Sequence, residues 1–137
     1  ILSRREHSEK ELRQRLQRYT DDFDEIDSVI SRLQRENWQS DERFAQSHLN
    51  RRQDKFGSSR LLYELRQHGV EPDSLVEIQE QLQETEFQRA RAVWQRKFNA
   101  PPADQKEWAK QYRFMISRGF APNLLRRIID SVDDSCL

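Results

Sequence analysis

Apolar residues recur every three or four positions along almost the whole chain, the spacing of one face of an α-helix. Leu12 and Leu16 follow Ser8, Leu61 and Leu65 follow Ser58, and Trp108 and Met115 follow Asp104. Ser and Asp oxygens accept hydrogen bonds from the free N–H groups of a first helical turn, so each of these three residues is predicted to cap a helix. The three helices run to turns near Thr20, Gly69 and Gly119, and glycine suits the left-handed residue just past a helix end. No stretch alternates Val, Ile and Thr as a strand would. An all-α fold is predicted.

The positions after each turn also correspond. Ile26, Leu75 and Leu125 each lie six residues beyond their turn, and the sets Val29, Ile78, Ile128 and Leu33, Leu82, Val132 come after them. The offsets between sets are 49 and 50 throughout. A constant period of that size marks a repeated supersecondary unit. A further helix precedes the pair in the middle unit, opened by Ser40 and Asp41 and carrying Phe44, Ala45, His48, Leu49 and Phe56. Phe87, Ala90, Trp94 and Phe98 do the same in the last unit. Asn99 to Ala103, with Pro101 and Pro102, form a longer loop there because proline resists continuation of a helix. The prediction is three tandem three-helix units, over about 1–38, 39–85 and 86–137, in an elongated, curved array whose neighbours touch mainly neighbours. Only Ile1 and Leu2 would remain of the first unit's leading helix, and the chain opens on Ile rather than Met.

Composition agrees with thin helical layers rather than one thick core. Charged residues make up 35% of the 137 and hydrophobic residues 34%, with a mean hydropathy of -1.08. There are 3 Gly and 4 Pro to interrupt helices. No apolar run has the length of a membrane span or a secretory signal. The single Cys136 rules out an internal disulfide or a cysteine-based zinc site, and a reducing compartment is expected. Net charge is +0 but segregated. Asp21, Asp22, Asp24, Glu25 and Asp27 form one acidic run, and Glu71 to Glu86 another. Residues 87–118 carry eight bases against Asp104 and Glu107. Such segregation steers a charged partner.

No nucleophile elbow, glycine-rich phosphate loop or metal-spaced cluster occurs, so neither an enzyme nor a cofactor is expected. His7, His48 and His68 are expected on three separate helices, His48 as a packed residue. Trp38, Phe44, Trp94, Trp108, Tyr112 and Phe120 fall at core spacing, leaving Tyr19 and Tyr63 as rings to watch on the surface.

Several strings in order resemble the RecX family. They are Leu2-Ser3-Arg4-Arg5-Glu6 through Leu12, Trp38-Gln39-Ser40-Asp41-Glu42-Arg43-Phe44-Ala45, Lys55-Phe56-Gly57 with Arg60 and Glu64-Leu65, Arg96-Lys97-Phe98, and Arg113-Phe114 with Arg118-Gly119-Phe120. The resemblance covers nearly the whole chain. It implies a cytoplasmic protein that binds along the groove of the RecA–DNA filament and hinders filament growth, ATP hydrolysis and strand exchange. The middle unit has Gly57-Ser58-Ser59 where such proteins commonly have Gly-Pro.

Basic residues are the candidate contacts. Arg51, Arg52 and Lys55 end one helix and Arg60 opens the next; Arg89 and Arg96 lie two turns apart with Lys97 beside them; Lys106, Lys110 and Arg113 form another stripe. They could meet the RecA filament, touching DNA directly or through it, or merely neutralise acidic helices of the neighbouring unit. A monomer suits a narrow filament groove. The alternatives are a freestanding helix-turn-helix-like DNA-binding protein, against which the net charge of +0 stands, and a helical scaffold for some other peptide.

Overall fold

Side-chain capping sets most of the helix starts. The computed structural model describes residues 5–135, and the described residues form seven helices and no strand. Ser8 opens α1 (Glu9–Leu16) with a full capping box: its hydroxyl accepts from the Glu11 N–H, and the Glu11 carboxylate accepts from the Ser8 N–H. Asp22 caps α2 (Phe23–Arg35), Ser40 caps α3 (Asp41–Arg52) and Asp104 caps α6 (Gln105–Ser117). The start of α4 (Ser58–Gln67) differs from the sequence expectation. Gly57 is its N-cap and makes no side-chain bond; the free Ser58 N–H instead donates to the buried Glu86 carboxylate at 3.1 Å. The last helix, α7, covers Leu124–Ser135.

The largest departure from the sequence reading is α5, which runs unbroken from Pro72 to Lys97. Nothing between Glu84 and Gln88 stops a helix there, since neither Gly nor Pro occurs. One rod therefore serves as the last helix of the middle unit and the first of the third. Asn37 and Asn99, both at φ 62°, turn the chain after α2 and after α5; asparagine tolerates this left-handed region.

Three apolar clusters follow the three units. Leu12, Ile26 and Ile30 form the first; Phe44, Leu49, Leu61, Leu65 and Leu82 anchor the second; Trp94, Met115, Phe120, Leu125 and Ile128 anchor the third. Each fully buried aliphatic side chain contributes roughly 1.5–3 kcal/mol, so each small cluster has only a few strong contributors. Of the rings expected in the core, Phe44, Trp94 and Phe120 are buried and Trp108 and Tyr112 partly so. Trp38 is 57% exposed, because it lies in the turn after α2 rather than on a helix face. The expected remnant of a leading helix at Ile1 and Leu2, and Cys136, lie outside the described residues.

Candidate functional site

The end of α3 and the start of α4 are drawn together by one carboxylate. Glu64 accepts two parallel bonds from Arg52, Nε and Nη2 at 2.8 Å each, one from Arg60 Nε at 3.3 Å, and lies 2.8 Å from His48 Nε2. Burial alone would push its carboxyl up. The bonds from Arg52, His48 and Arg60 outweigh burial and hold it below the usual carboxylate range. Phe56 lies beneath this group, with the guanidiniums of Arg60, Arg52 and Arg118 at 4.2, 4.4 and 5.3 Å from its ring centre. Cation–π contacts of this kind contribute roughly 0.5–2 kcal/mol each.

A test follows from Glu64. Glu64→Gln removes the charge shared by two arginines and is expected to cost about 1.5–3 kcal/mol in urea unfolding at pH 7. Its folded pKa lies below the unfolded value, so the stabilisation is complete above the ordinary 4.5 and disappears as pH falls through the folded value. The gap between wild type and variant should therefore narrow in acid. A gap that stayed constant down to pH 3 would show that the charge is not what Glu64 contributes.

Beyond Phe56 the surface opens into a groove of about 410 Å³ lined by Lys55, Val93, Arg96, Lys97, Phe114 and Arg118. It crosses from the middle unit, which supplies Lys55, to the third, which supplies the rest. Arg118 lies 5.0 Å and Lys97 5.6 Å from the Phe114 ring. Arg96 Nη2 donates to the Asp54 carbonyl at 2.6 Å. Among the described residues no ion pair includes Lys55, Arg96, Lys97 or Arg118. These like charges line one groove with no carboxylate among its walls, an arrangement that favours an anion.

The basic residues chosen from sequence fall into distinct settings. Lys55, Arg96 and Lys97 line the groove. Arg52 and Arg60 border it through Phe56 but are held by Glu64. Arg51 is exposed and bonds back to the Ser47 carbonyl. Lys106, Lys110 and Arg113 are exposed along α6, outside the groove lining. Arg89 is turned inward: it donates to the carbonyls of Gln53 and Phe56 at 2.9 Å and of Leu82 at 3.1 Å, and pairs with Glu86 at 2.5 Å. It stitches α5 to the end of α3. Sequence reasoning did not place Arg118 with these bases, nor Phe56 and Phe114 beneath it. The available signal was the i, i+4 spacing of Phe114 and Arg118 at the turn before Gly119.

Three family models match consecutive stretches: the first three-helix domain of RecX at residues 1–33, the second at 40–74 and the third at 84–129. The chain belongs to the RecX family. A regulatory protein RecX of Ralstonia nicotianae is 47% identical over 132 residues, covering 96% of this chain and 83% of the relative. The one from Herminiimonas arsenicoxydans is 41% identical over 134 residues, covering 98% and 89%. The crystal structure of RecX from Lactobacillus salivarius superposes with a TM-score of 0.79 at 19% identity, over 96% of this chain and 89% of that one, and so shares the fold. The three family domains follow one another along the chain, the first represented among the described residues by α1 and α2, and the cationic groove of this chain bridges the second and third. No helix among the described residues is long and apolar enough to cross a membrane.

Proposed function

We propose that this chain regulates the RecA recombinase by binding along the RecA–DNA filament, where it hinders filament growth, ATP hydrolysis and strand exchange. It acts by binding and not by chemistry, as a cytoplasmic monomer. The supporting observation is the groove of Lys55, Arg96, Lys97 and Arg118, whose charge is not neutralised within it, in a member of a family of regulatory proteins. Lys55 and Lys97 are exposed and offer point charges. The guanidinium of Arg118, near two rings, offers a fixed fork for phosphate oxygens or carboxylates. On this reading the groove meets filament DNA through its phosphates, and the exposed Lys106, Lys110 and Arg113 extend the contact.

The test is the ATPase rate of RecA on single-stranded DNA while this protein is titrated in. Wild type is expected to suppress the rate at levels well below RecA. The double variant Lys55→Glu/Lys97→Glu should need at least about tenfold more protein, since a lost or reversed charged contact is worth 1.4 kcal/mol or more, with unchanged helicity. Arg52 is left alone because reversing it would undo Glu64. An unaltered ATPase rate with folded wild-type protein would sink this reading.

The second reading, a freestanding DNA-binding protein, draws on the same cations. About four phosphate contacts predict a salt slope near −3.6 on duplex DNA in the absence of RecA. DNA binding with such a slope and no effect on RecA would favour it.

A further inference from the structure

The two joints between units are built on one plan, but His7 in the first stands where the second has Gly57. Positions 7, 8, 10, 67, 68 and 69 of the first joint lie 50 places before 57, 58, 60, 117, 118 and 119 of the second. In both, a basic side chain reaches the end of the next unit's middle helix: Lys10 Nζ donates to the Gln67 carbonyl at 2.9 Å, and Arg60 Nη1 points to the Ser117 carbonyl at 3.5 Å. In both, the turn glycine packs on that basic residue, Gly69 on Lys10 and Gly119 on Arg60.

The second joint is shut backbone to backbone. The Gly57 N–H donates to the Arg118 carbonyl at 2.7 Å, and the Ser59 N–H to the Gly119 carbonyl at 3.2 Å. Units two and three also share the rod α5. At the first joint His7 stands in the place of Gly57, and among the described residues no backbone-to-backbone hydrogen bond ties α1 or its cap to unit two. Unit one is instead held by side chains. The Glu9 N–H donates to Asp41 at 2.8 Å, Arg43 pairs with Glu6 at 3.1 Å, and Gln39 Nε2 donates to the His7 carbonyl at 3.2 Å. The apolar clusters of units one and two are separate.

His7 is only 2% exposed, and its Nδ1 has no hydrogen-bond partner. Burial disfavours a proton there, Arg5 and Arg15 oppose one, and the charge of Glu11 and a backbone hydrogen bond with Arg5 favour one without outweighing burial. Arg5 and Arg15 are cations, and Glu11 is already engaged by Arg5 at 2.7 Å and by the Ser8 N–H at 3.1 Å. Across the joint, Asp41 is used by the Glu9 N–H and Arg43 by Glu6. His68 faces the same Glu11 at 4.0 Å, and its ring lies 5.8 Å from that of His48, which leans on Glu64. The three histidines thus sit just before the Ser8 N-cap of α1, within α3 and at the C-cap of α4, not on three separate helices, and His7 and His68 border this joint.

We propose that the joint between units one and two is a proton-sensitive hinge: it closes around neutral His7 and opens when His7 is protonated, while the joint between units two and three stays shut. Burial, then the nearby Arg5, holds the folded His7 below its ordinary 6.5. A group with a lowered folded value binds its proton preferentially when exposed, so closure is complete above about 6.5 and weakens below it. The opening constant rises by up to about tenfold per pH unit down to the closed-state value. The inference stands apart from the RecA reading, since its test uses this protein alone.

The test is the distance between spin labels on Gln14→Cys in α1 and Gln95→Cys in α5, both exposed positions, in a Cys136→Ser background. A control pair, Gln46→Cys and Lys110→Cys, spans units two and three. Between pH 7.5 and 5.5 the first pair should lengthen and broaden while the second is unchanged. His7→Gln, which keeps the bulk without the charge, and His7→Gly, which installs the residue of the second joint, should each abolish the response. An unmoved first pair, equal spreading of both pairs, or a response that survives in either variant would overturn the hinge.

Discussion

Replacing Trp94 by Ala is expected to cost about 3–5 kcal/mol, the largest loss of any single truncation in this chain. Trp94 is 2% exposed and lies in the third unit's cluster with Met115, Phe120 and Ile128. Its indole N–H donates to Gln111 Oε1 at 2.8 Å, and Gln111, itself 1% exposed, passes a second bond from Nε2 to the Ala100 carbonyl at 3.1 Å. The truncation therefore opens a cavity and also strands a buried acceptor whose amide holds the loop after α5. Unfolding in urea, followed by helicity, checks the size of the loss. Because α5 enters two units, the loss should show as a shifted midpoint for units two and three together. A change below 1 kcal/mol would mean that the third cluster repacks freely around the void. Trp94→Phe, which keeps most of the volume but not the N–H, should recover more than half of the loss.

Much of this was legible in the sequence because the repeat is written in local chemistry. Ser8, Ser40 and Asp104 cap helices as their position before apolar runs predicts, and Gly69 and Gly119 take positive φ at the predicted turns. What escaped depends on contacts distant in sequence. Ser58 looks like a cap, but the carboxylate that satisfies the helix start comes from Glu86, 28 residues on. Arg89 looks like a surface base two turns from Arg96, yet three backbone carbonyls and Glu86 draw it inward. Spacing along one helix gives a shared face; it does not say which face another unit covers. The groove shows the same limit. Lys55, Arg96 and Lys97 were visible as bases, but Arg118 joins them only because the second joint brings the turn at Gly119 against Gly57.

That joint gives the second large effect. Gly57→Ala is expected to cost about 1–3 kcal/mol from overpacking alone, with about 1 kcal/mol more for each cross-joint hydrogen bond that breaks. The φ of Gly57 is −84°, so backbone strain is not the reason. Space is. A Cβ there would fall on the carbonyl oxygen of Gly119, within 2.5 Å of its carbon and 2.6 Å of the Phe120 nitrogen. All three atoms are backbone, so no rotamer change relieves the clash and the two units must move apart. That movement pulls Gly57 from the Arg118 carbonyl and Ser59 from the Gly119 carbonyl. It should also draw Arg118, next to Gly119, away from Lys55 across the groove they both line. On the function proposed above, one methyl group should therefore weaken RecA inhibition as well as lower the urea midpoint, although it removes no charge. The control is His7→Ala, the corresponding position of the other joint, which should leave the groove and its inhibition intact. If Gly57→Ala lost stability but inhibited as well as wild type under conditions where it is folded, the groove across the second joint would not be the contact surface.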